Sequence, residues 1–78
     1  MVIKILGGGC ANCKVLYKNA ETACKELSIE AELVKVEDFS EITKYNVMST
    51  PALVIDEKVV GLGKMKYKKV KELVENAQ

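Results

Sequence analysis

Two short apolar runs separated by an amphipathic stretch constrain this chain more than any other feature. Val2 to Leu6 is apolar except for Lys4 and ends in Gly7-Gly8-Gly9, which predicts a buried strand running into a loop. From Ala11 to Leu27 the period changes. Cys13, Leu16, Tyr17, Ala20, Ala23, Cys24 and Leu27 recur at helical spacing, with Lys14, Lys18, Glu21 and Lys25 opposite them, which predicts an amphipathic helix. Ala31 to Val36 returns to strand character. Strand, helix and strand within about 35 residues make a βαβ unit, so the two strands should be parallel.

The remainder of the chain adds four elements. Asp38, with Glu41 three residues on, resembles a capping box and predicts a short helix from Phe39 to about Tyr45 that buries Phe39 and Ile42. Ala52 to Ile55 and Val59 to Val60 are β-prone and read as an antiparallel hairpin. The Asp56-Glu57-Lys58 between them contains no glycine, so the turn type stays open. Gly61 and Gly63 break the strand pattern, and Tyr67, Val70, Leu73, Val74 and Ala77 mark a closing helix. The order is β-α-β-α-β-β-α. Helices fall between strands, which predicts an α/β fold whose four-stranded mixed sheet is flanked by helices.

Seventy-eight residues suit one domain, residues 1–78, near the lower size for a self-sufficient core. Apolar residues are 49% of the chain, but with no Trp and one Phe the core must be mainly aliphatic. Twelve basic and eleven acidic side chains leave a formal net charge of +1, which gives no reason to expect nucleic acid or a membrane as a partner. No apolar run approaches the roughly 18 residues of a membrane span, and no signal-peptide pattern opens the chain. A cytoplasmic protein is the expectation.

In that compartment the pair Cys10-Ala11-Asn12-Cys13 points to catalysis or metal binding rather than to a structural staple. Cys10 is expected at the cap or first turn of the first helix, where unpaired N–H groups and the helix dipole favour a thiolate. Lys14 adds positive charge. Cys13, turned about 60° from Cys10, begins the apolar stripe. One thiol is then exposed and the other covered, which suits a nucleophile with a resolving partner. The same spacing suits a soft-metal clip. The run Gly-Gly-Gly-Cys-Ala-Asn-Cys resembles the metal-binding loop of heavy-metal-associated domains, which carry copper or zinc on two thiolates. Those domains end on a strand, whereas this chain ends on a helix. With no His and three Cys, a four-ligand zinc site would need carboxylates.

The element order, the Cys-x-x-Cys after the first strand and Thr50-Pro51 before the third together resemble the thioredoxin and glutaredoxin family. The likeness is strongest to the small redox-active disulfide proteins of archaea and bacteria, and it spans essentially the whole chain. The resemblance implies a thioredoxin-like fold and a thiol-disulfide oxidoreductase in which Cys10 is the nucleophile and Cys13 the resolving thiol, together the redox-active disulfide. It also implies that Pro51 is a cis-proline lying against the thiol pair, and that Thr50 offers backbone groups to a bound substrate segment. The implied partners are protein or low-molecular-weight disulfides and a reductase, with a monomeric chain, no metal and no cofactor beyond the pair itself. The alternative, a copper or zinc carrier, uses the same two thiols. A third reading makes the pair a sensor in a regulatory or docking module. The dipeptide between the cysteines is Ala-Asn, Lys4 stands six residues before Cys10 where thioredoxins hold a buried Asp, and Gly61-Leu62-Gly63-Lys64-Met65 departs from the glutathione-binding pattern of glutaredoxins.

Other features have simpler readings. Cys24 follows Cys13 by eleven residues, roughly 16 Å along a straight helix, which forbids a disulfide between them. It reads as a buried apolar residue. Lys64, Lys66, Lys68, Lys69 and Lys71 read as a solvated face, with an acidic docking surface as the alternative. Gly7 to Gly9 lack the Lys-Ser/Thr of a phosphate loop and read as a flexible strand-to-helix turn.

Overall fold

The computed structural model describes residues 1–7, 9, 11–47 and 50–77. Its elements are β1 (Val2–Leu6), α1 (Ala11–Glu26), β2 (Glu32–Val36), α2 (Phe39–Thr43), β3 (Ala52–Ile55), β4 (Lys58–Leu62) and α3 (Tyr67–Asn76). Among the described residues one sheet orders its strands β2-β1-β3-β4. The β1–β2 pair is parallel, with Val2 opposite Glu32 and Leu6 opposite Val36, as the βαβ spacing predicts. The β1–β3 and β3–β4 pairs are antiparallel.

Period-two alternation in the central strands sends side chains to two apolar layers. Ile3, Ile5, Leu53 and Ile55 meet Leu16, Ala20, Ala23 and Cys24 of α1 and Val70 and Val74 of α3. On the opposite face Leu6, Ala52 and Val54 pack with Ile42 of α2, with Val36, Tyr45 and Val47 around them. Ile3, Ile5, Leu6, Leu16 and Leu53 are sealed from solvent, so truncating any of them to Ala should cost about 2–5 kcal/mol. No helix among the described residues is long and apolar enough to cross a membrane.

Local chemistry explains where α1 stops. The Ser28 N–H bonds to the carbonyl of Lys25 (3.2 Å) and the Ile29 N–H to that of Cys24 (2.9 Å). Ser28 has φ 55°, so it fills the left-handed position that glycine usually takes in this motif. At α2, Asp38 Oδ1 accepts from the Ser40 N–H at 2.9 Å, an N-cap as expected. Glu41 instead pairs with Lys44, so the reciprocal half of the capping box does not form.

Two sequence expectations need correction here. Phe39 is not buried but 77% exposed, because α2 is only five residues long and turns Ile42, not its first residue, toward the sheet. The last strand is also longer than Val59–Val60. Asp56 and Glu57 alone make the turn, at φ 48° and 70°, and β4 then runs through Gly61 to Leu62. Leu53 pairs with Gly61 and Val54 with Val59, so the register slips between them and leaves Val60 as a bulge. Gly61 does not end the strand. A Cβ there would lie 2.6 Å from Met65 Sδ, so the position makes room for the chain folding back.

Candidate functional site

The ends of β1 and β2 and the start of β3 converge on one end of the sheet. Leu6 pairs with Ala52, which places Pro51 level with Gly7. The Gly7 N–H bonds to the carbonyl of Val36 at 2.7 Å, tying the end of β1 to the end of β2. Gly7 has φ +89°, and a Cβ built on it would lie 2.5 Å from Thr50 Cβ. The glycine therefore serves close packing against Thr50, a role that the reading of a flexible turn did not include. On the other side, the Gly63 N–H bonds to the Pro51 carbonyl at 2.7 Å and ties the end of β4 to the same point.

Thr50 is exposed and Pro51 buried. The peptide bond between them is cis.

Helix α1 starts at this end of the sheet. Ala11 and Asn12 are exposed, whereas Cys13 is 1% exposed in the first turn and is disulfide-bonded. That turn carries no acidic residue, and Lys14 beside it is exposed. A thiolate here sits at the positive end of the helix dipole without a competing carboxylate. Cys10, the expected nucleophile, lies outside the described residues. So do Met48 and Ser49, just ahead of Thr50.

Cys24 is a free thiol deep in the α1 stripe, as its spacing predicts. Burial pushes its pKa up, which keeps it protonated and unreactive. Lys4 sits on the α2 face of the sheet. Its ammonium pairs with Glu57 and donates to the Tyr45 hydroxyl at 2.9 Å, and the Tyr45 hydroxyl also donates to Glu57 at 3.1 Å. These contacts raise the Lys4 pKa and lower that of Glu57. Among the described residues no polar or charged side chain is buried, and no three His, Cys, Asp or Glu side chains cluster.

Comparisons with known proteins agree with this geometry. A family model for the thioredoxin domain matches residues 1–75. The chain is 40% identical over 68 residues to a thioredoxin of Methanothermobacter thermautotrophicus, covering 87% of this chain and 88% of that one. It is 43% identical over 65 residues to a thioredoxin of Methanocaldococcus jannaschii, covering 83% and 74%. The chain belongs to the thioredoxin domain family.

Thioredoxin 1 of Thermosipho africanus superposes with a TM-score of 0.67, at 22% identity, over 99% of this chain and 93% of that one. At that identity the likeness speaks for the thioredoxin fold alone. Of the site residues expected from the sequence, Thr50 and Pro51 lie beside the end of β1, and Cys13 lies in the first turn of α1. Sequence reasoning did not single out Gly7 and Gly63, the two glycines that hold Thr50 and Pro51. The available signal was their position directly after a strand, where a positive φ is needed to turn the chain.

Proposed function

We propose that this chain is a thiol-disulfide oxidoreductase, a single thioredoxin-like domain that exchanges a Cys10–Cys13 pair with disulfides of proteins or small molecules. The observation that carries the reading is Cys13, disulfide-bonded and covered in the first turn of the helix that follows the central strand. The thioredoxin relatives, aligned over most of the chain, support it.

In the reductive direction the Cys10 thiolate attacks one sulfur of the substrate disulfide and expels the other as a thiolate, which takes a proton. Cys13 gives up its proton, attacks the Cys10 sulfur of the mixed disulfide and releases the second substrate thiol. Two electrons pass to the substrate and the pair becomes a disulfide, later reduced by a reductase. No cofactor is needed, because the electrons reside in the pair. Thr50, exposed beside the buried Pro51, aligns the substrate segment much as a sheet edge aligns an added strand.

Reduction of insulin disulfides by the dithiol protein tests the reading. Cys10→Ser should abolish turnover, and Cys13→Ser should attack once and accumulate a mixed disulfide. Alkylation near neutral pH that labels Cys13 ahead of Cys10 would reverse the roles. Absence of insulin reduction, together with a stoichiometric chelator-resistant metal on the purified protein, would overturn the proposal.

A further inference from the structure

The acidic residues of this chain are unevenly distributed. Residues 1–20 contain Lys4, Lys14 and Lys18 and no Asp or Glu, and residues 58–71 contain six lysines and no Asp or Glu. All eleven acids lie between, from Glu21 to Glu57, or after, at Glu72 and Glu75. A net charge of +1 therefore conceals a polarised molecule. The two basic stretches also include the ends of β1 and β4, which meet around Thr50 and Pro51, and the start of α1, which follows β1.

Lys64 follows Gly63, whose N–H is bound to the Pro51 carbonyl. Leu62, opposite Ala52, is 55% exposed. Met65 folds over Gly61, while Lys64 and Lys66 on either side of it are exposed. Lys4, Lys44 and Lys71 are each neutralised by an acidic partner. Among the described residues Lys14, Lys64 and Lys66 make no ion pair.

This arrangement works against the stability of α3. Its N-cap is Lys66, without a side-chain cap, and the first turn holds Lys68 and Lys69 with no acidic residue of its own, while Glu26 of α1 is engaged with Tyr67 and Lys71. Cations at that end of a helix oppose its dipole. An anionic partner would relieve the mismatch.

We propose that Lys64 and Lys66, with Leu62 as the apolar contact and Lys14 adding charge from α1, select oxidised proteins whose disulfide is flanked by acidic residues. This rests on the exchange reading, whose electron balance it leaves unchanged: the dithiol loses two electrons and the acidic substrate's disulfide gains them.

The test uses three disulfide-cyclised peptides that differ only in carrying Glu, Ser or Lys beside one cysteine, with the reduced protein regenerated by dithiothreitol. The Glu peptide should show kcat/KM about tenfold above the Lys peptide at low ionic strength, with the gap closing at about 0.5 M salt. Lys64→Glu with Lys66→Glu should invert the order, and the Gln pair should flatten it. Circular dichroism checks that each variant is folded. Equal rates for the three peptides, or an order unchanged by charge reversal, would overturn the proposal. Fluorescence anisotropy with serine analogues of the same peptides reads charge preference without exchange. Preference in binding with no reduction of any peptide overturns the exchange reading and this proposal with it, whereas reduction without preference overturns this proposal alone. Tighter binding of a single-stranded oligonucleotide than of the Glu analogue would point to nucleic acid and also overturn it.

Discussion

Gly7 and Thr50 fit together only because one of them has no side chain: a Cβ on Gly7 would lie 2.5 Å from Thr50 Cβ and 2.7 Å from its Cγ2. The contact fixes the strand that leads into the cysteine loop against the segment that leads into β3.

Gly7→Ala should therefore destabilise by about 2 kcal/mol or more, from left-handed strain plus a clash that backbone or Thr50 must absorb. Gly63→Ala is the control, since Gly63 also has a positive φ (+74°) but nothing within 4 Å of the added methyl. It should cost about 1 kcal/mol, from strain alone. Urea unfolding measures both. Insulin reduction should fall further in Gly7→Ala than in Gly63→Ala. Equal losses of stability would show that the Thr50 contact yields readily.

Phe39 and Ile42 should respond in opposite ways to truncation. Phe39→Ala should stay within about 0.5 kcal/mol of the parent, as exposed positions do. Ile42→Ala should cost about 2–4 kcal/mol, because Ile42 joins α2 to Leu6, Ala52 and Val54. Denaturant midpoints decide between the two.

Cys24→Ala should lower stability by about 1–2 kcal/mol through the small cavity it leaves, while disulfide exchange continues at the parent rate. In the parent, a thiol probe should reach Cys24 only on the timescale of unfolding. Fast labelling of Cys24 under native conditions would contradict its place in the core.

The Lys4–Tyr45–Glu57 contacts predict a dependence on pH. The folded state holds the Glu57 carboxyl below its ordinary value of 4.5, so its contribution is complete above that value and declines as the pH falls through the depressed folded pKa. Lys4, held above 10.5, contributes fully below that value and is lost only at strongly alkaline pH. Glu57→Gln should lower Tm slightly at pH 7, and the difference should shrink below about pH 4. A difference that grows on acidification would show that the sign is wrong.

The regular elements were readable in the sequence because they repeat a period: β1 as an apolar run, α1 as a stripe from Cys13 to Cys24, β3 as Ala52–Ile55. What escaped depended on side chains meeting across the fold. The Asp56-Glu57 turn has no glycine because Asp56 Oδ1 accepts the Val2 N–H at 2.9 Å and Glu57 reaches Lys4 and Tyr45, contacts that hold two left-handed residues in place. Phe39 reads as buried from sequence alone because hydrophobicity carries no information about which way a five-residue helix faces. At the site, Thr50 and Pro51 could be assigned to a common end through family resemblance. The glycines that hold them there required the packing.

The bulge at Val60 has a consequence for what the sheet can join. Its free margins are β2 and β4, and strands at a margin invite a further strand from another molecule. On β4 the slip between Leu53 and Val54 interrupts the pairing pattern midway and bends a strand whose Val59 and Leu62 are exposed. An incoming strand meets no flat ladder of more than a few residues. On β2 the exposed Glu32 and Lys35 place charge along the other margin. Edge-to-edge growth is thus disfavoured at both sides, by shape on one and by charge on the other.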